Sequence, residues 1–401
     1  MGFAKVSCSL AVGAVAALLV HADARAQTAA VCSFNSASAV VTVTVDGVAA
    51  TLSRTGSGVI RLNSVACGGA TTLNTNRIVI RGGPLRDIVT LSGTFEPGLT
   101  PETDGFSEVE IRLTGIEVST ISLGGGDDTL VGQMNGLDVG GDGDIDITGA
   151  VIGNVQGGGG NDLLDFRARS GNYTLGGGAG NDELIGGSGN NTLIGGPDDD
   201  TLRGNAGADH MEGGPGNDVE FGGSGNDRFD QNGAPNGADF LSGGPDSDIV
   251  DYGARTVGVN VTLGAGGDDD GEPGEGDEVG VDVEDVIGGS GDDTIVGSGV
   301  RNRLFGGPGN DELSGGANAD SLFGEEGDDF LSGDAGANDL HGGPGNDALV
   351  GSIRGLDKFF GDDGDDDISV TTDGRVEPVN CGEGNDTAER NDEDTFIGCE
   401  L

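Results

Sequence analysis

The amino-acid sequence predicts an all-β protein: a parallel β-roll, which is a form of β-solenoid, with a small N-terminal β-domain as its cap. Glycine contributes 83 of the 401 residues, whereas Phe contributes 14, Tyr 2 and Trp none. Few large side chains are therefore available to fill a wide core. Glycine, aspartate and a large apolar residue also recur every nine residues, and a short fixed period is typical of solenoids.

Two runs of nonapeptides carry this period. The first begins at Gly177 with GGAGNDELI, holds six units to Asp230, and continues after a three-residue insertion with two more units to Asp251. The second holds seven units from Gly288 to Val350. The shared pattern is G-G-x-G-x-D-x-U-x, where U is a large apolar residue. Outlying units begin at Gly157, Gly361 and Cys381.

Each position of the repeat has a structural meaning. Glycines at positions 1, 2 and 4 favour a tight turn with positive φ angles. Position 6 places a carboxylate at the end of that turn, and positions 7 to 9 predict a short strand. Two nonapeptides complete one coil, so repeats i and i+2 share an edge. Position 8 is predicted to point inward, and it is occupied by Leu184, Leu193, Leu202, Met211, Ile295, Leu304, Leu313, Leu322, Leu331, Leu340 and Leu349.

The aspartates at position 6 are candidate metal ligands. Coils about 4.8 Å apart stack these carboxylates on one another, and unit charges at that range repel by ~3–4 kcal/mol at a surface-like dielectric. Calcium reverses the sign, because it takes oxygen ligands from carboxylates and backbone carbonyls alike. We therefore predict calcium as the cofactor. The predicted ligands are Asp162, Asp182, Asp200, Asp209, Asp218, Asp227, Asp239, Asp248, Asp293, Asp311, Asp320, Asp329, Asp347 and Asp366.

The nonapeptide resembles the hemolysin-type (RTX) calcium-binding repeat. The resemblance implies a β-roll that binds calcium at its turns. It also exposes a departure from members of that family exported by the type I route, because those usually lack a cleaved N-terminal signal.

The two edges of the second run differ in composition. One edge carries Asp293, Asp311, Asp329 and Asp347, whereas the other carries Asn302, Asp320 and Asn338, with Val300 and Asn318 in place of the position-4 glycine. We expect calcium to load the first of these edges well and the second poorly. In the first run both edges are expected to be competent: Asp182, Asp200 and Asp218 form one, and Asn191, Asp209 and Asp227 the other.

One inward position departs from the pattern. Glu220 stands where an apolar residue is expected, between Val219 and Phe221. Because a buried carboxylate without a partner is costly, we expect a local register shift that turns Phe221 inward.

The N-terminus has the features of a secretory signal peptide. Lys5 precedes an apolar stretch at residues 10–20, and Ala24-Arg25-Ala26 offers a cleavage site, with Ala22-Asp23-Ala24 as a second possible site. Four cysteines follow, an even number, and their proximity favours Cys32–Cys67 and Cys381–Cys399 among three possible connectivities. The predicted segments are 1–26 signal peptide, 27–115 small β-rich domain, 116–156 degenerate repeats, 157–251 first β-roll, 252–287 acidic linker, 288–369 second β-roll and 370–401 disulfide-closed cap.

Two of these segments carry further expectations. Alternating valines at 41–45, the turn Asp46-Gly47 and the apolar stretch 48–52 predict a β-hairpin. The linker contains an acidic loop at 268–272, which is either a solvated hairpin loop or an additional cation site.

Charge and motifs limit the possible functions. Asp and Glu number 69 against 19 Lys and Arg, a net charge of −50, which argues against nucleic acid as a partner and favours cations. No segment after the signal is apolar enough to span a membrane. The chain has three histidines and no H-E-x-x-H or G-x-S-x-G motif, so we predict that it is not an enzyme.

The predicted function is that of a secreted, extracellular calcium-binding protein whose repeats fold on binding calcium, with a structural or interaction role. One alternative is an adhesin or matrix-binding module that calcium makes rigid, with an unknown cell-surface or matrix partner. Another is a secreted hydrolase or lyase that uses the repeats as a stability domain.

Overall fold

The computed structural model describes residues 153–264, 270–352, 355–370, 377–388 and 395–399, the backbone of the strands between residues 15 and 152, and the side chain of Leu130. Two compact units are present, Met1–Gly195 and Gly196–Leu401. The part of the chain that the structure describes contains strands and turns without a helix, and hence no helix able to cross a membrane.

Short β-strands follow one another in both units. The strands of the first unit are Val15–His21, Ala29–Asn35, Val40–Asp46, Ala49–Arg54, Val59–Leu62, Val65–Thr71, Arg77–Gly82, Ile88–Ser92, Glu110–Gly125, Thr129–Gln133, Gly136–Val139, Ile147–Ile152, Asn154–Gly159, Leu163–Asp165, Thr174–Ala179, Glu183–Ile185 and Thr192–Ile194. The strands of the second unit are Thr201–Ala206, His210–Glu212, Val219–Ser224, Arg228–Asp230, Phe240–Ser242, Ile249–Asp251, Asn260–Thr262, Glu278–Val279, Asp285–Ile287, Thr294–Val296, Arg303–Phe305, Glu312–Ser314, Ser321–Phe323, Phe330–Ser332, Asp339–Pro344, Ala348–Val350, Lys358–Asp363, Asp367–Ser369, Pro378–Asn380, Thr387–Ala388 and Thr395–Ile397.

The hairpin expected at residues 41–52 is wrong. Val40–Asp46 pairs in parallel with Arg77–Gly82, and Ala49–Arg54 pairs in parallel with Ile88–Ser92. On their other sides Val40–Asp46 pairs antiparallel with Ala29–Asn35 and Ala49–Arg54 pairs antiparallel with Val59–Leu62, so the two strands do not pair with each other. The dipeptide Asp46-Gly47 is a local turn signal that does not determine which strands pair, which is why the sequence pattern predicted a hairpin.

The predicted signal peptide and first disulfide fall largely outside the described residues. Within the segment 1–26, Val15–His21 forms a strand that pairs antiparallel with Ala29–Asn35, and the remainder lies outside the described part. The side chains of Cys32 and Cys67 also lie outside it, so their pairing stays a prediction.

The second unit is a parallel β-roll with two faces. Strands from alternate repeats pair in parallel and in register, so that Glu312–Ser314 pairs with Phe330–Ser332 on one face and Arg303–Phe305 pairs with Ser321–Phe323 on the other. The all-β parallel β-roll predicted from the nine-residue period is confirmed.

One inward side chain per nonapeptide forms the core, as predicted. These side chains are 0% exposed. Within a unit, each is aligned with the equivalent side chain of the next coil, as Leu313 is with Leu331. The residues are Leu184, Leu193, Leu202, Met211, Ile295, Leu304, Leu313, Leu322, Leu331, Leu340 and Leu349.

The register shift expected at Glu220 is wrong. Glu220 is fully buried and aligned between Leu202 and Leu241 of the neighbouring coils, whereas Phe221 faces outward, with its ring centroid 4.4 Å from the Arg203 guanidinium carbon. A one-residue slip would turn every side chain of the strand to the opposite face. Burial, followed by repulsion from Asp239, raises the pKa of Glu220 well above its usual range, which favours the neutral form there.

The linker inserts additional strands into one face of the roll. Glu278–Val279 pairs with Phe240–Ser242, and Asn260–Thr262 pairs with Thr294–Val296. Between them, antiparallel bridges join Asn260 to Gly271 and Asp270 to Asp277.

The C-terminal segment continues the stacking. Pro378–Asn380 pairs in parallel with Lys358–Asp363 and with Thr395–Ile397. A disulfide joins Cys381 to Cys399, whose Cα atoms are 5.2 Å apart, a distance within the normal range for such a bond.

Replacement of Leu331 by alanine tests the inward ladder. Leu331 is 0% exposed and aligned with Leu313 and Leu349, so the change should lower the free energy of unfolding by about 2–5 kcal/mol. Denaturant unfolding with saturating calcium measures this loss. The adjacent Phe330 is 41% exposed, and its replacement by alanine should cost less than about 1 kcal/mol. Equal losses in the two variants would show that position 8 does not carry the core.

Candidate metal centre

Every predicted ligand is buried at the end of a turn. Their exposed fractions run from 0% to 3%, because each side chain turns back under its own glycine-rich loop immediately before a strand begins. In the second unit these residues form two rows. Edge 1 carries Asp200, Asp218, Asp239, Asp277, Asp293, Asp311, Asp329, Asp347, Asp366 and Asp386; edge 2 carries Asp209, Asp227, Asp248, Asn302, Asp320, Asn338 and Asp357.

One oxygen of each carboxylate on edge 1 is used within the protein. The backbone N–H of Asp311 donates to Oδ1 of Asp329 at 2.8 Å, and the N–H of Asp329 donates to Oδ1 of Asp347 at 2.8 Å. The same bond links Asp347 to Asp366 at 2.9 Å. These hydrogen bonds fix the position of each carboxylate between two successive coils. In the first unit the N–H of Asp162 likewise donates to Oδ1 of Asp182 at 2.7 Å.

The second oxygen accepts no hydrogen bond at a series of these positions in the part of the chain that the structure describes. This Oδ2 atom is buried, so water does not satisfy it either. A buried acceptor in that state is costly unless a further partner is present. The residues concerned are Asp218, Asp311, Asp329, Asp347, Asp366 and Asp386 on edge 1, with Asp227, Asp248 and Asp320 on edge 2.

Position-1 glycine brings a carbonyl oxygen to the same place. A methyl group at Gly342 would overlap Oδ2 of Asp347 and lie 2.8 Å from the carbonyl oxygen of Gly361, one coil further on. At Gly324 the equivalent neighbours are Oδ2 of Asp329 and, at 2.6 Å, the Gly342 carbonyl oxygen. Glycine is required here because the space that a Cβ would fill holds two oxygen atoms.

These oxygens fit a hard cation. Calcium takes about six to eight oxygen ligands from carboxylates and backbone carbonyls. In the described part of the chain no three His, Cys, Asp or Glu side chains converge as a metal cluster, so the carbonyl oxygens are a necessary part of any such site. The arrangement supplies both kinds of oxygen beside Gly324 and Gly342.

Burial disfavours the charged form of these carboxylates while no cation balances it. Desolvation, assisted by repulsion from neighbouring carboxylates, raises the pKa of Asp311 and Asp347 to about 7. The same causes raise the pKa of Asp366 to about 6, and the pKa of Asp227 and Asp248 on edge 2 to about 7.

Edge 2 differs from edge 1 where asparagine replaces aspartate. Nδ2 of Asn338 donates to the Gly333 carbonyl oxygen at 2.7 Å, while its Oδ1 accepts from the N–H of Asp320 at 2.9 Å. Nδ2 of Asn302 donates in the same way to the carbonyl oxygen of Glu284 at 2.7 Å. The amide N–H groups of Asn302 and Asn338 therefore donate to backbone carbonyl oxygens, whereas on edge 1 the Oδ2 atoms of Asp311 and Asp347 are buried and accept no hydrogen bond.

On edge 2 the turn at Asn318 has a positive φ at a position where the repeat pattern has glycine. Asn318, which replaces the position-4 glycine, has a φ of 80°. Asparagine tolerates this left-handed conformation better than most residues. The side chains at position 6 are a further difference between the edges.

Two predicted ligands have both carboxylate oxygens occupied. Asp239 accepts from the N–H of Asp218 at 2.8 Å and from Nδ2 of Asn236 at 2.9 Å. Asp293 accepts from the N–H of Val259 at 2.7 Å and from the N–H of Gly289 at 2.6 Å. Both flank the linker.

Three aspartates of the rows were not among the predicted ligands. Asp277 and Asp357 occur where insertions break the nine-residue count, and the structure reveals them because their Oδ1 atoms accept from the N–H groups of Asp239 and Asn338. Asp386 belongs to the outlying unit at Cys381, and its N–D motif was the signal that could have identified it.

Buried carboxylates in register on a parallel β-roll define a repeat protein suited to a hard divalent cation. The family described as RTX calcium-binding nonapeptide repeat (4 copies) matches residues 176–210, 194–229, 236–254, 287–322 and 314–349. The chain thus carries RTX calcium-binding nonapeptide repeats, and the resemblance predicted from the sequence is confirmed. No curated protein matches the chain.

The raised pKa values predict how stability depends on pH without calcium. Asp311 and Asp347 titrate at about 7 when folded and at about 3.9 when unfolded. Between these values the folded state binds more protons, so stability should fall as the pH rises from about 4 to about 7. Unfolding of the chelator-treated protein at about pH 5 and about pH 7.5 measures this slope.

Saturating calcium provides the comparison for that experiment. A cation favours the ionised carboxylates, so the fall in stability should weaken or reverse in its presence. If the free energy of unfolding of the calcium-free protein rose between about pH 4 and about pH 7, it would contradict the assignment of these carboxylates as buried and without a cation.

Proposed function

We propose that this chain is a secreted, non-enzymatic calcium-binding protein whose repeats complete their folding when calcium binds, and that it serves a structural or interaction role. The observation that carries the proposal is the uninterrupted row from Asp311 to Asp386, in which each Oδ2 is buried and accepts no hydrogen bond. The calcium-binding class of the matched repeats supports it.

Calcium supplies positive charge between carboxylates that otherwise repel one another. The residues proposed to hold it are Asp311, Asp329, Asp347 and Asp366, together with backbone carbonyl oxygens such as that of Gly361. The hydrogen bonds to Oδ1 leave the Oδ2 atoms oriented toward the adjacent turn. The chain thus fixes one oxygen of each ligand in advance.

Folding and binding are coupled in this proposal. The core consists of one inward side chain per nonapeptide, and the edges hold raised-pKa carboxylates at neutral pH. An ion that binds only the folded state stabilises it by mass action. At about millimolar extracellular calcium, where weaker calcium modules are loaded, the balance shifts to the closed roll.

The two edges are proposed to differ in capacity. Asn302 and Asn338 occupy edge 2 with their amide groups already bonded, which leaves Asp320 isolated between them. We expect ions along edge 1 of residues 306–386 and few along edge 2 of the same region. In the first run Asp227 and Asp248 keep an unpartnered Oδ2 on edge 2, which supports loading of both edges there.

Secretion is supported by two features. Residues 1–26 have the composition of a signal peptide, and the Cys381–Cys399 disulfide suits an oxidising compartment. The alternatives of an adhesive module and of a secreted hydrolase or lyase lack a specific supporting observation in the described part of the chain.

A calcium titration of the chelator-treated protein, followed by far-UV circular dichroism, tests the proposal. We expect a cooperative gain of β signal that chelator reverses. Replacing Asp329 by asparagine should raise the calcium midpoint about tenfold, equivalent to about 1.4 kcal/mol, because it removes one charged ligand.

Asp328 provides the matched control. Its side chain lies at the exposed position 5, where it accepts a hydrogen bond from the N–H of Asn346. Replacing Asp328 by asparagine removes the same charge one residue away, and the midpoint should move by less than about twofold. A calcium-insensitive spectrum, or equal shifts for the two variants, would overturn the proposal.

A further inference from the structure

Next to the linker, edge 1 is satisfied entirely by protein donors. Asn236 Nδ2 donates to Oδ2 of Asp239 at 2.9 Å, and the Tyr252 hydroxyl donates to Oδ2 of Asp277 at 2.9 Å. The N–H of Gly289 donates to Oδ2 of Asp293 at 2.6 Å. These oxygens correspond to the unpartnered Oδ2 atoms elsewhere in the row.

A buried arginine supplies positive charge at the same place. The Arg255 side chain is 0% exposed, and its Nε donates to the carbonyl oxygens of Gln231 and Asn232 at 2.9 and 2.8 Å. Nη2 donates to Oδ1 of Asn236 at 2.7 Å and to Oε1 of Glu275 at 2.7 Å.

The guanidinium also contacts a second carboxylate. Nη1 donates to Oε2 of Glu275 at 3.1 Å and to Oε1 of Glu272 at 3.3 Å. Glu275 in turn accepts from the N–H groups of Asn236 and Glu272 at 2.9 and 2.8 Å. We call Arg255 with Gln231, Asn232, Asn236, Glu272 and Glu275 the Arg255 cluster.

The oxygens around Arg255 are of the kind that a hard cation takes. They comprise two backbone carbonyls, an amide oxygen and two carboxylates, which is the ligand chemistry of calcium sites. A guanidinium remains charged at all relevant pH values and offers its donors in a fixed planar fork. Because this cation is covalently attached, calcium concentration does not affect it.

From these contacts we infer that the linker is a calcium-independent anchor within the second unit, in which Arg255 performs the role that calcium performs in the repeats. The inference rests on the proposed function, because it requires that the repeats at 306–386 depend on calcium. The anchor comprises residues 231–239, 249–264 and 270–293.

The anchor has the connections needed to order its neighbours. Val250 is in register with Val286, and Val286 with Leu304, on one face. Val261 is in register with Ile295 on the other. In a repeat array each unit contacts only its neighbours, so a preformed coil lowers the cost of ordering the next one. Calcium would then order the repeats at 306–386 outward from the anchor.

Hydrogen exchange of the full-length protein, with and without chelator, tests the anchor. In chelator we expect amides of residues 249–264 and 277–287 to exchange at least about tenfold more slowly than those of residues 312–350. Calcium should slow exchange at 312–350 and change the anchor little. R255Q should abolish anchor protection in chelator, whereas R255K, which keeps the charge without the fork, should retain part of it.

Arg303 is the matched control. It pairs with Asp285 in the same unit, but its side chain is 52% exposed, and R303Q should leave anchor protection unchanged in chelator. If R255Q fails to fold even with calcium, the wild-type protein and R255K still decide the question.

The possible outcomes separate the inference from the proposed function. Rapid exchange of the wild-type anchor in chelator, with calcium-dependent protection at 312–350, would overturn the anchor and leave the proposed function standing. An anchor whose protection R255Q does not reduce would equally overturn the role of Arg255. If the protection of amides at 312–350 against exchange did not depend on calcium, the proposed function would be overturned instead.

Discussion

A carboxylate buried beside the carboxylate of the next coil is stable only with a proton, a cation or a hydrogen-bond donor from the protein. The stability of the second unit depends on how this requirement is met at each position. In Asp311, Asp329 and Asp347, Oδ1 accepts a hydrogen bond from a backbone N–H, while Oδ2 is buried and accepts none. The inward leucines hold the faces together, but they do not neutralise the edges. Whatever balances the charge on the edges therefore decides whether the roll closes.

The chain meets this need in three ways. Along residues 306–386, edge 1 is left with the oxygens that suit calcium. Asn302 and Asn338 on edge 2 carry their own amide donors, and Arg255 brings a permanent cation into the linker. Glu220 shows a fourth solution on the inside of the roll, where burial favours the protonated acid. One structural motif thus contains positions that differ in their dependence on metal and pH.

The repeat pattern was enough to predict the roll, its inward ladder and the two rows of carboxylates. A nine-residue period leaves little freedom for the strands, because each must align with its equivalent one coil away. The burial of Glu220 was not predictable in the same way, because it depends on the strand register that both neighbouring coils impose. The Arg255 cluster was also not predictable from the sequence, because Arg255 and Glu275 come together only when the linker folds onto the loop at 231–236.

The N-terminal strands illustrate a second limit. Asp46-Gly47 is a strong hairpin signal on local grounds, yet the flanking strands Val40–Asp46 and Ala49–Arg54 bond to later coils. Local turn chemistry does not determine which strands pair. The pairing depends on partners more than thirty residues away in this chain, as that of Val40 with Arg77 shows.

A crystal structure of the calcium-saturated protein would test the central claim most directly. The account predicts ions along edge 1 between successive turns from Asp311 to Asp386, each contacting an Oδ2 atom that accepts no hydrogen bond without calcium, and no matching row beside Asn302 and Asn338. Ions distributed evenly over both edges of this region, or Oδ2 atoms without an ion, would contradict the claim that the unpartnered oxygens are the calcium ligands.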